Sequence, residues 1–233
     1  MLCWMIILIF GLGYAYLFTF ISDKLYFLPL YLMGGFLISL ILFAIFILIV
    51  IWTAPFTKQN NKLKHKIIYP LVKFVHTILK IKIEVIGREN IPNDTFVVYS
   101  NHKSMLDVTI LYQAYHKILS AIAKNDLVNV PFLSRLMKGL GVVPLDRNND
   151  REGARNILEA IKRVKAGNNY LIFPEGGVKS RETEHMVALR AGAYKLATKP
   201  KAVISPVSII GSSLLSQNCP KKGTKITVVI HKP

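Results

Sequence analysis

Two runs without a single charged residue, at positions 1–21 and 25–52, fill almost all of the first 52 residues of this 233-residue chain. A helix of about 20 apolar residues crosses the hydrocarbon core of a bilayer, so both runs qualify by length. Only Ser22, Asp23 and Lys24 separate them, a link short enough for a helical hairpin. Pro29, Gly34 and Gly35 interrupt the second run. A cleaved signal peptide is the competing reading of the first run. It starts without basic residues and a longer apolar run follows directly, which favours retained helices. The expected organisation is a hydrophobic two-helix membrane anchor over residues 1–54 and a polar domain over residues 55–233.

Lys24 is the one basic residue before position 53, whereas Lys58, Lys62, Lys64 and Lys66 follow close behind the second run. Basic residues concentrate on the cytoplasmic flank of membrane segments, so the polar domain is expected at the cell membrane, facing the cytoplasm. Nearly all of the formal net charge of +17 belongs to that domain. Anionic lipid head groups fit it, each nearby Lys or Arg contributing about 1 kcal/mol. A phosphate-bearing substrate or an acidic carrier protein would be attracted equally. Nucleic acid is not expected as a partner, because no zinc knuckle, helix-turn-helix or RNA-binding signature accompanies the charge. Cys3 and Cys219 lie at opposite ends of the chain and make neither a disulfide framework nor a zinc spacing, which fits a reducing compartment.

Behind the anchor, residues 62–79 mix apolar and basic side chains at helical spacing, predicting an amphipathic helix able to lie along a membrane surface. Residues 81–85 alternate as a half-buried strand, 90–94 make a turn, and 96–99 form a continuous apolar strand. Beyond these, the pattern predicts helices after His102 and over 131–140, 151–166 and 185–198. Strands are expected over 119–123, 142–145, 170–173, 202–207 and 224–230. Such alternation implies an α/β fold: a central, mostly parallel or mixed sheet flanked by helices.

The stretch Ser100-Asn101-His102-Lys103-Ser104-Met105-Leu106-Asp107 follows one of those strands. Five positions apart, His102 and Asp107 would point about 140° from each other on a regular helix. The spacing suits a strand-to-helix corner, with His102 in the turn and Asp107 one turn inside the helix. Asp107 then holds one ring nitrogen of His102 while the other faces a substrate, as an oriented general base requires. A His near an Asp is by itself more often a structural pair. Further blocks downstream change that weighting: Gly141-Val142-Val143-Pro144-Leu145-Asp146-Arg147, then Phe173-Pro174-Glu175-Gly176, then Val203-Ile204-Ser205-Pro206-Val207-Ser208.

With these four blocks in this order, the chain resembles the glycerolipid acyltransferase family over roughly residues 70–230, and within it the 1-acylglycerol-3-phosphate acyltransferases. The resemblance implies a glycerol-phosphate-acyltransferase-like fold, with two N-terminal helices that either cross the bilayer or dip into one leaflet. It implies transfer of a fatty acyl chain from an acyl thioester to the sn-2 hydroxyl of lysophosphatidate, giving phosphatidate for phospholipid synthesis. His102 would be the base and Asp107 its orienting acid. Asn101, Lys124, Arg147, Glu175, Gly176 and Lys179 are the substrate-binding candidates. A guanidinium at Arg147 can grip phosphate oxygens in pairs. Lys124 matches the family's lysine after the strand that follows the His-Asp block. Gly176 permits a close backbone approach, and Glu175 either binds the glycerol backbone or orders its loop.

One departure stands out. The family commonly continues Glu-Gly-Thr-Arg-Ser, whereas this chain reads Glu175-Gly176-Gly177-Val178-Lys179-Ser180-Arg181. The arginine is missing in register, leaving Lys179 or Arg181 as the nearest replacements. A thiol of pKa about 8.5 leaves without strong assistance, so no metal or organic cofactor is demanded. The donor thioester, on coenzyme A or acyl carrier protein, is a co-substrate, and the sequence leaves that choice open. His65, His76, His116, His185 and His231 are scattered without partners and read as surface or structural. Pro206 is expected to shape the end of its strand. The same His-Asp pair would serve another lysolipid or glycerol 3-phosphate. A reading of a different class is a non-catalytic module that binds anionic lipid, against which the intact His102, Asp107 and Glu175 count. A lipid hydrolase would need a Gly-x-Ser-x-Gly elbow, which is missing.

Overall fold

The computed structural model describes residues 2–21, 27–145, 150–187 and 189–233. The chain forms two compact units, Met1–Thr53 and Ala54–Pro233. In the first, helices α1 (Leu2–Ile21) and α2 (Leu28–Thr53) pack against each other. Glycines make the close approach: a Cβ added to Gly35 would stand 2.5 Å from the Gly11 carbonyl oxygen. Small residues bring apolar helices together in this way inside membranes. Ser39 lies buried at the same crossing and satisfies its hydroxyl within its own helix, donating to the Phe36 carbonyl at 2.8 Å. Elsewhere α2 presents Leu30, Met33, Leu37, Ile41 and Ile49 outward, as lipid-facing helices do. Among the described residues, Leu28–Phe56 is the one helix long and apolar enough to cross a membrane, and the apolar part described in α1, Ile7–Leu17, is shorter. The link expected at Ser22–Lys24 lies outside the described residues.

The second unit is built on a seven-stranded sheet of β1 (Ile81–Ile86), β2 (Phe96–Ser100), β3 (Ser120–Lys124), β4 (Val143–Leu145), β5 (Tyr170–Ile172), β6 (Val203–Ile210) and β7 (Thr224–Ile230). Its spatial order is β1-β7-β6-β2-β5-β3-β4. Every neighbouring pair is parallel except β6 with β7, so the sheet is mixed, as the alternating pattern implies. Helices follow as α3 (Lys62–Ile78), α4 (Asp107–Tyr115), α5 (Leu133–Gly139), α6 (Asp150–Lys165), α7 (Ala191–Thr198) and α8 (Leu215–Asn218).

Strand β2 is buried along its whole length, and its period of two divides the core. Phe96 and Val98 pack with Ile110, Leu111 and Ala114 of α4 on one face. Val97 and Tyr99 pack with Ile161 and Val164 of α6 and with Leu196 of α7 on the other. The Tyr99 hydroxyl donates to the Ala193 carbonyl at 3.0 Å, tying β2 to α7. Burial pushes that phenol up to about 12, so it keeps the proton the bond needs.

Five details differ from the sequence pattern. The helix expected from His185 begins only at Ala191, with Arg190 extended just before it and the Val187 and Arg190 amides bonded to Glu175 and to the Pro174 carbonyl. Strand β6 runs on to Ile210, and the short α8 was not anticipated. Helix α3, expected as a surface-lying helix, packs on α4 and β1 and buries Lys64, Ile68 and His76. Lys64 donates to the carbonyls of Gly139 (2.5 Å) and Thr57 (3.3 Å), and burial lowers its pKa. Four of the five histidines read as partnerless prove otherwise. His76 is buried between Gln113 Oε1 (2.6 Å) and Thr109 Oγ1 (3.0 Å), and His231 meets Ser208 at 2.9 Å. His65 meets the Tyr112 hydroxyl at 2.8 Å and His116 at 3.3 Å.

Pro206, expected at the end of its strand, sits inside β6 because that strand runs on to Ile210, and its carbonyl accepts from the His231 amide at 2.9 Å.

Candidate active site

Strands β2 and β5 are parallel neighbours, with Tyr99 beside Ile172, so the loops leaving their carboxyl ends emerge side by side. Open α/β sheets bind ligands at that end. One loop carries His102 and the other Phe173-Pro174-Glu175-Gly176.

His102 lies in the corner between β2 and α4 with its side chain 17% exposed, and Asp107 is fully buried. Asp107 is the first residue of α4 rather than one turn inside it. From there its Oδ2 accepts three hydrogen bonds, from the amides of Lys103 (2.7 Å) and Ser104 (2.8 Å) and from His102 Nδ1 (3.0 Å). A carboxylate only accepts, so Nδ1 carries the proton, and Nε2 is the nitrogen left to face a substrate. The His102 ring stacks on Phe173, centroids 4.0 Å apart and planes 12° apart, which fixes its tilt. Asp107 Oδ1 is buried without a hydrogen-bond partner among the described residues.

Glu175 is fully buried beneath this pair. Its Oε1 accepts the His102 amide at 2.9 Å, and its Oε2 faces Lys103 Nζ at 3.4 Å and accepts the Val187 amide at 3.3 Å. Lys103, also fully buried, donates to the His185 carbonyl at 2.7 Å. The Glu175 carboxylate is thus taken up by contacts within the protein itself. Asn101 is similarly engaged: it accepts from the Ile209 amide (2.8 Å) and donates to the carbonyls of Ile209 (2.8 Å) and Glu184 (2.9 Å).

A cavity of about 1040 Å³ opens from His102. Its walls are largely apolar, with Ala121, Leu127, Ile157, Ile161, Ile172 and Val178 among them. Ligand pockets typically span about 300–1,000 Å³, and an apolar one of this size suits a long hydrocarbon chain. Gly176 and Gly177 line it beside His102. Lys124 reaches the cavity but is exposed and paired with Asp126. Lys179 is exposed and does not line it. Arg181 turns to the Lys103 carbonyl, with its Nε at 3.2 Å. Arg147 lies outside the described residues.

Three side chains around the site escaped sequence reasoning. Lys103 and Phe173 sit inside recognised blocks, yet nothing in either block reveals that they meet partners about 70 residues away. Arg190 carries no motif signal, and its place in the cavity wall follows from its extended backbone before α7 and its amide bond to the Pro174 carbonyl.

The carboxyl edge of this mixed α/β sheet thus holds an Asp-steadied histidine over an apolar cavity. The family model described as Acyltransferase matches residues 82–210, and the chain belongs to that family. It is 32% identical over 157 residues to a probable 1-acyl-sn-glycerol-3-phosphate acyltransferase of Mycoplasma pneumoniae, a match covering 65% of this chain and 58% of that one. A chloroplastic 1-acyl-sn-glycerol-3-phosphate acyltransferase of Arabidopsis thaliana is 30% identical over 177 residues, covering 69% of this chain and 49% of its own. The crystal structure of the 1-acyl-sn-glycerophosphate (LPA) acyltransferase PlsC from Thermotoga maritima superposes with a TM-score of 0.63 at 26% identity, covering 82% of this chain and 77% of that one. The chain spans about half the length of the curated relatives it matches.

Proposed function

We propose that this protein transfers a fatty acyl chain from an acyl thioester to the sn-2 hydroxyl of 1-acylglycerol 3-phosphate, giving phosphatidate. The observation that carries the reading is the His102–Asp107 pair, steadied by two backbone amides and opening onto the apolar cavity. The names of its relatives support the same substrates.

In this mechanism His102 Nε2 takes the proton of the acceptor hydroxyl as its oxygen attacks the thioester carbonyl carbon. Asp107 stabilises the imidazolium that forms. The C–S bond then breaks, an ester remains on the acceptor, and the imidazolium returns its proton to the departing thiolate. The apolar wall holds the acyl chain. Lys124, at the cavity rim but paired with Asp126, and Arg147 are the candidates the sequence offers for the acceptor's phosphate. Coenzyme A and acyl carrier protein thioesters are both donors to test. The exposed lysines 58, 62 and 66, just behind α2, support a place at the cell membrane with the sheet domain on the cytoplasmic side and anionic lipid close by.

The test offers purified full-length protein a fatty acyl thioester with and without lysophosphatidate, and follows free thiol and phosphatidate. Thiol released only in the presence of acceptor, with phosphatidate formed in step, is expected. His102→Ala should lower turnover by at least roughly 10²–10⁴-fold. Release without acceptor would identify a hydrolase instead, and no release a lipid-binding module.

A further inference from the structure

We infer that Arg190 is the side chain that grips the acceptor's phosphate beside His102. The assignment rests on the acyl-transfer reading above and names the residue that would read the charged end of the substrate.

The placement of Arg190 follows from the backbone. Its amide donates to the Pro174 carbonyl at 2.9 Å, and it stands in extended conformation at the start of α7. Its position is thereby fixed to the Phe173–Gly176 block. Its side chain then lies against Gly176, where φ is 75°: a Cβ there would stand 2.7 Å from Arg190 Nε and 3.2 Å from Cζ. Gly176 thus does two things at once, adopting a left-handed turn and leaving room for a guanidinium. The residue before it, Glu175, holds the His102 amide, so cation and base are set by neighbouring points of one loop. Both side chains line the same cavity.

Lys195 and Lys199 also line the cavity but lie further along α7 and at its C-cap, and three other cations near the site are committed elsewhere. Lys124 is paired with Asp126, Lys103 is buried against Glu175, and Arg181 donates to the Lys103 carbonyl. Among the described residues no carboxylate pairs with Arg190. The substrate makes a matching demand. In lysophosphatidate the sn-2 hydroxyl and the phosphate sit on adjacent carbons, so a base on the one requires a cation on the other close by. A guanidinium meets a phosphate with two parallel hydrogen bonds.

The experiment compares two acceptors, lysophosphatidate and the phosphate-free 1-monoacylglycerol, with the full-length protein and its Arg190→Ala, Arg190→Gln and Arg190→Lys variants in detergent. Losing a charged hydrogen-bonded contact should raise the lysophosphatidate KM by about 10- to 100-fold in the Ala and Gln variants. That loss should fall mainly on KM and narrow the preference for lysophosphatidate over monoacylglycerol by a similar factor. The Lys variant should recover part of it, which a purely structural role would not predict. Wild-type KM and preference in both the Ala and Gln variants would overturn the assignment while leaving acyl transfer intact. Wild-type protein that acylates neither acceptor would overturn both readings.

Discussion

Asp107 gathers three donors on a single oxygen, and the consequence is a histidine whose tautomer and ring position are set before any substrate arrives. Asp107→Asn keeps an acceptor for the Lys103 and Ser104 amides but removes the charge opposite the imidazolium. Turnover should fall by roughly 10²–10⁴-fold while the melting temperature stays near that of the wild type, and steady-state rates with thermal unfolding check both parts. The buried Lys103–Glu175 pair makes the opposite kind of prediction. Lys103→Met leaves the Glu175 carboxylate buried without its cation, so stability should drop by about 3–5 kcal/mol, measured by urea unfolding. The His102–Asp107 relation could be read from the sequence because both residues lie in one turn of chain. Lys103, Phe173 and Arg190 could not, since their roles exist only once β5 lies beside β2 and Arg190 is tied to the loop that follows it.

At the scale of elements, apolar runs and period-two alternation located the strands well, because burial on both faces of a sheet leaves a strong pattern. The reading failed at residues 185–190 for a physical reason. Met186, Val187 and Leu189 mimic a helix face, but the main chain there is held by side chains and carbonyls of the site. Glu184 anchors the near end of this run, accepting from the Gly211 amide at 3.0 Å and the Ser213 hydroxyl at 2.7 Å. Glu184→Ala should loosen it. Limited trypsin digestion should then cut at Lys179, Arg181 or Arg190 about tenfold faster, the effect of roughly 1.4 kcal/mol of lost local stability. Unchanged cleavage would mean that the run is held without Glu184.

Across the whole molecule, buried histidines give stability a direction with pH. Burial lowers the pKa of His76, with its Gln113 hydrogen bond opposing, and burial with the neighbouring His116 lowers that of His65. Unfolded histidines take protons near the ordinary value of about 6.5, so the unfolded chain binds more protons than the folded one as pH falls through that value. The stability that neutral His76 contributes is therefore complete above about 6.5 and is lost progressively below it. The urea midpoint should be lower near pH 5.5 than near pH 7.5, and His76→Gln should remove much of the difference. The sheet order has a consequence of another kind. β2, which delivers His102, lies between β5 and β6, both encoded far downstream. On the ribosome the histidine emerges long before either flanking strand, so a nascent chain holds the reactive side chain without a scaffold until translation has passed Ile210.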